Sequence, residues 1–351
     1  MNMDNRIILL SSSCKITQGK YRSVIIDFDR DKLYYIQNQF AEILKANEGQ
    51  SVCQIESELD DSESIKNFHV FLDFLLKNEI VFLAYSASCY PRRNEQIKET
   101  PSILDNLIIE VDKHYWNVEY EKCVMRSIAD CNVADIQLRL FNGLDNDRIS
   151  HILKGVEKSG AKYIELICSY KHIPKIDYAI DLLKNIPLLS KIIVFENEKN
   201  MHLQITNDCS SATLTFGEIY LSTQTYCPNE MCGIINKHTL DFSGVDAYNL
   251  HHKYNGCLYK KAAISSSGEI KNCPSFSKSW GNIKSQRLCE IAAMPLFQEL
   301  WNIDKDKISV CKDCELRYCC SDCRAHRINH MDLYSKPAKC FYNIKSGKWQ
   351  E

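Results

Sequence analysis

The chain has 351 residues, 45% of them hydrophobic and 25% charged, which is typical of globular proteins of two or three domains. Its 43 basic and 45 acidic side chains leave a net charge of −2, so composition argues against nucleic acid or an anionic membrane as a partner. Its apolar runs are far shorter than the ~20 residues of a membrane-spanning helix, and no signal peptide is recognisable. We therefore expect a cytoplasmic protein.

Residues 1–90 are predicted to form a small winged-helix-like domain. Three β-rich stretches come first, namely "RIILLSSSCKITQ", "RSVIIDFD" and "KLYYIQ", with a turn at residues 29–31 between the last two. Three helical stretches follow, "QNQFAEILKA", "SVCQIESEL" and "SESIKNFHVFLDFLLKN", and "EIVFLA" predicts a final strand. The domain carries nine basic and thirteen acidic residues, so its charge of −4 disfavours DNA binding.

The polar, proline-containing stretch at 88–102 is predicted to be a linker to a middle domain that ends at residue 226. Strand-like and helix-like segments alternate in this domain, from "NLIIEVDK" to "KIIVFEN", in the order βαβαβαβ. That order indicates an α/β fold with a parallel sheet. About four units are too few for an eight-fold barrel, so a partial (β/α) barrel and a small open sheet both remain possible.

The chain contains no GxGxxG, GxxxxGK[ST], HExxH or GxSxG motif, so nucleotide-binding and hydrolase functions have no support. Its chemistry is concentrated instead in residues 227–351, which hold eleven of the 18 cysteines. Five of these lie in "CKDCELRYCCSDC" at 311–323, a density that indicates metal or cluster ligation in a reducing compartment. Upstream, residues 257–275 predict a β-hairpin that turns at Gly268 and precedes Cys273.

Zinc and an iron–sulfur cluster each take four thiolates, so both are candidates for this region. A zinc ribbon separates its two CxxC pairs by about 15–20 residues. Here Cys314 and Cys320 are close in sequence, which favours a cluster with distant ligands without excluding zinc.

The pattern C-x10-G-x4-C at 257–273, CxxC-x5-C-x2-C at 311–323 and a last Cys340 resembles a SPASM domain, the iron–sulfur module of radical SAM peptide maturases. "KDKISVCKDCELRYCCSDCRAHR" and "SKPAKCFYN" are similar, more narrowly, to the maturases of grasp-with-spasm systems. The resemblance is strong over residues 227–351 and weaker at "YRSVIIDFDRDKLYYIQNQFAEIL". It implies an N-terminal module that binds a precursor leader by strand addition, a radical-SAM-like middle domain and a C-terminal SPASM domain.

The same resemblance implies two sets of ligands for one or two auxiliary [4Fe–4S] clusters. One set is Cys311, Cys314, Cys320 and Cys340, and the other contains Cys257, Cys273 and Cys323. Cys319 remains an alternative to Cys320, because many SPASM domains have C-x3-C where this chain has C-x2-C. For a missing fourth ligand the candidates are Cys232, Cys289 and His252, or the site could stay open to substrate. We expect His251 and His252 to be surface imidazoles.

The chain departs from the family in having no CxxxCxxC, the motif that holds the catalytic cluster of radical SAM enzymes. We therefore expect no cleavage of S-adenosylmethionine and a degenerate middle domain. The predicted function is maturation of a ribosomally made precursor peptide together with an ATP-grasp ligase, and whether the chain is itself an enzyme stays open. The alternative is a zinc-stabilised, non-catalytic adaptor protein.

Overall fold

The computed structural model describes residues 5–90, 97, 99–141, 143–209, 212–227 and 232–350. The strands are β1 (Ile7–Leu10), β2 (Cys14–Gln18), β3 (Ser23–Asp27), β4 (Lys32–Ile36), β5 (Val81–Ala84), β6 (Asn106–Val111), β7 (Asp135–Leu140), β8 (Tyr163–Ser169), β9 (Leu189–Phe195), β10 (Met201–Cys209), β11 (Ala212–Leu221), β12 (Lys261–Ile264), β13 (Ile270–Lys271), β14 (Tyr342–Asn343) and β15 (Lys348–Trp349). The helices are α1 (Asn38–Ala46), α2 (Val52–Ser57), α3 (Ser62–Lys77), α4 (Val118–Cys131), α5 (Asn146–Lys158), α6 (Ile176–Asn185), α7 (Val245–Lys253), α8 (Leu288–Ala292) and α9 (Pro295–Gln298). Among the described helices, none has the length and apolar character needed to cross a membrane.

The N-terminal region follows the predicted order of strands and helices, except that the first β-rich stretch is divided into β1 and β2. Strands β2, β3 and β4 form an antiparallel sheet in that order, while β1 pairs with β5. The predicted turn lies between β3 and β4, where Asp31 adopts a positive φ of 51°. Every residue of β3 is buried, because α1–α3 cover one face of this sheet and the C-terminal region covers the other.

The middle region contains the predicted βαβαβαβ succession, β6–α4–β7–α5–β8–α6–β9. Its sheet has eight strands in the order β10-β11-β9-β8-β7-β6-β12-β13 and is mostly parallel, which confirms the α/β fold class. Strands β6, β7, β8 and β9 are neighbours in sequential, parallel order, which is common to a partial (β/α) barrel and a small open sheet, the two predicted possibilities. The hairpin of β10 and β11, which the sequence analysis did not predict, extends the sheet beyond β9.

The cysteine-rich region shares this sheet, because the predicted hairpin β12–β13 pairs in parallel with β6 through β12. Gly268 lies in the hairpin turn with a φ of +96°, a conformation that glycine adopts without strain. The pairing ends at Ala263 and Lys271, so Cys273 lies two residues beyond the end of β13. The predicted linker lies partly outside the described residues, at 91–96 and 98.

The N-terminal and C-terminal regions are joined by Arg22, in the turn between β2 and β3. Its guanidinium donates to Glu315 Oε1 at 2.5 Å, to the Tyr342 hydroxyl, and to the Gly347 carbonyl at 2.9 Å. Gly19 lies in the same turn, where an added Cβ would come within 2.8 Å of the Glu315 backbone nitrogen. The turn therefore packs directly against the backbone of the CxxC segment.

Candidate metal centre

Four thiols from three separate stretches of sequence form a first group: Cys232, Cys257, Cys273 and Cys323. The Cys232 thiol is hydrogen-bonded to the Cys273 thiol, which lowers the pKa of Cys232 and raises that of Cys273. Burial first, and then the nearby Cys257 and Cys232, raise the pKa of Cys323 to about 11. Cys257 also raises the pKa of Cys273, so the four sulfurs lie close enough to interact.

A second group consists of Cys311, Cys314, Cys320 and Cys340. The pKa of Cys311 is raised to about 11 by burial first, and also by Asp322, Cys320 and Cys340, against the opposing effect of Lys305. Cys314 is shifted in the same direction by burial first and then by Glu315, Cys320 and Cys311. Of the seven predicted cysteines, Cys257, Cys273 and Cys323 thus lie in the first group, and Cys311, Cys314, Cys320 and Cys340 lie in the second.

The backbone around these sulfurs supplies hydrogen-bond donors. The N–H groups of Ser275, Leu316 and Asp322 donate to the thiols of Cys273, Cys314 and Cys320 respectively, each two residues earlier. Ala325 and His326 do the same for Cys323. Such bonds lower a thiol pKa and stabilise an anionic sulfur, as cluster and metal ligands require.

Cys319 and Cys320 are adjacent but have different surroundings. Cys319 packs in an apolar cluster with Val24, Ile26 and Tyr318, and its pKa is raised by burial and then by Asp241. Cys320 instead shares the second group and accepts a hydrogen bond from Lys305. Of the two, Cys320 is therefore the one that faces the other thiols of this group.

Among the three candidates for a missing fourth ligand, the structure brings Cys232 to the first group. Cys289 lies elsewhere, beside Cys131 on α4, and the His252 ring stacks on Tyr318 at 3.3 Å. The expectation of a surface position is wrong for His251, which is 3% exposed. His251 is buried because α7 packs against the segment around Tyr318, whose carbonyl lies 3.0 Å from His251 Nδ1.

A buried ionic network lies between the two groups, and nothing in the sequence pattern indicated it. Asp322 Oδ1 accepts from Lys305 Nζ at 3.0 Å and from Arg324 Nη2 at 2.7 Å, and Oδ2 accepts from Asn255 Nδ2 at 2.6 Å. All four residues are at most 4% exposed. Asn255 Oδ1 also accepts from the backbone N–H of Cys257, so the network connects a ligand segment of the first group with Cys320 of the second.

The donor set fits iron–sulfur clusters, since each group offers four thiols and several sulfurs already accept backbone hydrogen bonds. Within the described ranges, no three His, Cys, Asp or Glu side chains converge tightly enough to hold a single metal ion. The buried cations Lys305 and Arg324 outnumber Asp322 and would partly balance the negative charge of four thiolates.

The middle region provides no comparable group of thiols among its described residues. Cys168 lies inside β8 and is fully buried against the helical layer, while Cys123 and Cys131 are both on α4. The loop that follows β6, residues 112–117, contains no cysteine.

Comparison with known proteins agrees with this centre. The family model of the SPASM domain, an iron–sulfur cluster-binding domain, matches residues 257–315. A comparison with curated proteins found no match. Among solved structures, SuiB from Streptococcus suis is 13% identical, with a TM-score of 0.39, and the match covers 95% of this chain and 99% of that one. SuiB bound to S-adenosylmethionine and SuiB bound to its precursor peptide SuiA are each 12% identical, with TM-scores of 0.34 and 0.30; both matches cover 95% of this chain and 100% of the other. These scores indicate a distant similarity.

Proposed function

We propose that this chain is a SPASM-type maturation protein for a ribosomally made precursor peptide and that it holds two auxiliary [4Fe–4S] clusters. Cys232, Cys257, Cys273 and Cys323 would hold one cluster, and Cys311, Cys314, Cys320 and Cys340 the other. The observation that carries the proposal is the sorting of eight buried or half-buried thiols into two groups of four. When bound, the clusters supply one-electron transfer.

The chain's own residues would hold and tune these groups. Lys305, hydrogen-bonded to the Cys320 thiol, would stabilise added negative charge at the second group and raise its reduction potential. Asp322 accepts hydrogen bonds from both Lys305 and Arg324. These buried hydrogen bonds hold the two positive charges in place.

The leader of the precursor would bind at β4, the edge strand of the N-terminal sheet. The hydrogen-bonding pattern of β2, β3 and β4 directs the N–H and C=O groups of Leu33 and Tyr35 away from β3, where an added strand can pair with them. Helix α3 borders this edge, since Phe74 packs against Tyr34 at 5.7 Å. Its Val70, 64% exposed, offers an apolar contact for an incoming peptide.

The proposal includes a partner ATP-grasp ligase and no cleavage of S-adenosylmethionine. The ligase follows from the resemblance to grasp-with-spasm maturases. The lack of cleavage is supported by the absence of CxxxCxxC and by the positions of the middle-region cysteines, since Cys123 and Cys131 are eight residues apart on α4 and Cys168 lies on β8. In this view the middle region is a scaffold for the leader-binding edge and the cluster region. The role of the chain is then to present the peptide or to transfer electrons.

Metal analysis of anaerobically purified protein tests the clusters. We expect a brown protein absorbing near ~400 nm, with about eight irons and eight sulfides per chain, four of each for every cluster. Cys314→Ser and Cys232→Ser should each lose about half of the iron, from different groups. Cys289→Ser is the matched control and should retain all of it. A colourless protein containing zinc instead of iron would refute the proposal in favour of the zinc-stabilised adaptor.

Leader binding is tested separately with the full chain and a fluorescein-labelled leader peptide from a candidate precursor. Val70→Asp should weaken binding about tenfold, because it places a charge on the apolar surface beside β4. Val118→Asp, which makes the same change at a 72% exposed valine on α4, is the control and should have no effect. Equal effects of both variants, or no saturable binding at about 1 mM peptide, would remove the recognition role.

A further inference from the structure

A cavity of about 510 Å³ lies between the N-terminal region and α7, and β4 does not contribute to its wall. Its size is within the range of about 300–1,000 Å³ that is usual for ligand pockets. The apolar part of its wall comes from β1, β2, α1 and β5. The residues concerned are Ile8, Leu10, Ile16, Leu44 and Val81.

Helix α7 supplies a buried side-chain amide to the cavity wall, and the amide nitrogen has no hydrogen-bond acceptor among the described residues. Asn249 is 8% exposed, and its Nδ2 has no hydrogen-bond partner among the described residues. Buried amide donors are nearly always paired, so an unpaired one that lines a cavity points to an acceptor supplied by a ligand. Tyr248, the residue before Asn249 on α7, already donates a hydrogen bond to the Ile16 carbonyl at 3.5 Å. This contact closes the wall of the cavity beside Asn249.

The charged residues around the cavity are mainly basic. Lys15, Lys45 and Lys253 line it, against one acidic residue, Glu48. This excess is local, because the N-terminal region as a whole is acidic. Burial and the nearby Arg317 both lower the pKa of Lys45, so an added carboxylate would relieve an unfavourable environment for its charge.

From these features we propose that the cavity binds an acidic segment of a peptide, with a large apolar side chain against Leu44 and Ile16 and an oxygen accepting from Asn249 Nδ2. This inference deepens the proposed function and rests on it, since the segment would belong to the precursor. It adds a second contact site, distinct from the leader edge at β4.

The position of the cavity suits such a role. Strand β2 lines it and β4 carries the leader edge, so the two sites are separated by two strand spacings, about 10 Å, which three or four extended residues can cover. On the other side, the ring of His252 lines the cavity and stacks on Tyr318, two residues before Cys320. A peptide in the cavity would therefore contact His252, whose stacking partner Tyr318 lies in the same cysteine-rich segment as Cys320.

The test uses the full chain and a fluorescein-labelled hexapeptide, Glu-Glu-Leu-Phe-Glu-Glu, with fluorescence anisotropy as the readout. We expect saturable binding, weakened about tenfold by Lys45→Glu and several-fold by Asn249→Leu. Lys154→Glu, the same charge change on the exposed surface of α5, is the matched control and should bind as the wild type does. Asn249→Leu should leave the unfolding midpoint unchanged or higher, because it removes an unpaired buried donor.

Two further arms decide the identity of the ligand. Equal binding of Lys-Lys-Leu-Phe-Lys-Lys, or no binding of the acidic hexapeptide at about 1 mM, overturns the proposal. Displacement by dodecanoate at concentrations well below those of the hexapeptide also overturns it, since the site would then take a small amphipathic acid. Val70→Asp should not change hexapeptide binding. Loss of cavity binding with normal iron content and leader binding would remove this inference alone, whereas loss of iron would remove the proposed function.

Discussion

Replacing Asp322 by Asn should strongly destabilise the cysteine-rich region. The change keeps the shape of the side chain but leaves Lys305 and Arg324 buried without their counter-charge. Removing one partner of a buried ion pair typically costs about 3–5 kcal/mol, and here two cations lose the same partner. Since whole proteins are stable by only about 5–15 kcal/mol, we expect a large drop in the free energy of unfolding.

The assay is urea unfolding under anaerobic conditions, at matched iron content, followed by tryptophan fluorescence. Trp301 reports on this region, because its carbonyl accepts from the Asn255 N–H at 2.8 Å. Lys307→Met is the control: its pair with Asp304 is half exposed, and its loss should cost less than about 1 kcal/mol. Adding Lys305→Met to Asp322→Asn should recover part of the loss. A cost for Asp322→Asn no larger than that of the control would refute the argument.

Three other changes test separate features. Lys305→Met should lower the reduction potential of the second cluster in an anaerobic redox titration, because it removes a positive charge beside Cys320; an unchanged potential at full iron content would contradict this. Gly19→Ala should reduce the free energy of unfolding by about 1–3 kcal/mol, since its Cβ would press on rigid backbone; an unchanged urea midpoint would show that the turn can shift. The Asp322 pKa is lowered by Lys305 and Arg324 despite burial, so its stabilisation is present above the unfolded pKa of about 3.9 and is lost below it. The stability difference between wild type and Asp322→Asn should therefore shrink as the pH falls below about 4, and a constant difference would contradict that origin.

The elements that the sequence predicted well are those with clear hydrophobic periodicity. Strands β6–β9 contain short apolar runs or alternations, such as "LII" in β6 and "IIVF" in β9, and helices α4–α6 repeat apolar residues with a period of 3.6; all are present at the predicted places. The hairpin of β10 and β11 was missed because its partly polar alternation, as in "MHLQIT", does not stand out from that of a surface loop. Its pairing with β9 depends on tertiary contacts.

The candidate site was predictable only in part. Spacing indicated that the late cysteines share metal sites, and the resemblance supplied the two sets, but neither could choose Cys232 over Cys289. That choice depends on how residues 232–235 pack against the Cys323 loop, where Ile235 pairs with Cys340. The sequence did not indicate that Lys305 belongs to the site either, because a lysine is almost never buried unless it is paired, and its partner Asp322 is not recognisable from the sequence.

The attachment of Arg22 to Glu315, Tyr342 and Gly347 has a consequence for substrate length. Because side-chain packing joins the N-terminal sheet to the cysteine-rich region, the distance from β4 to the clusters is fixed. It would vary if a flexible linker alone connected the two regions. Under the proposed function, this rigid span acts as a ruler. The number of residues between leader and target would then decide which position of the precursor arrives at the clusters, and lengthening that spacer would move the modified position rather than abolish modification.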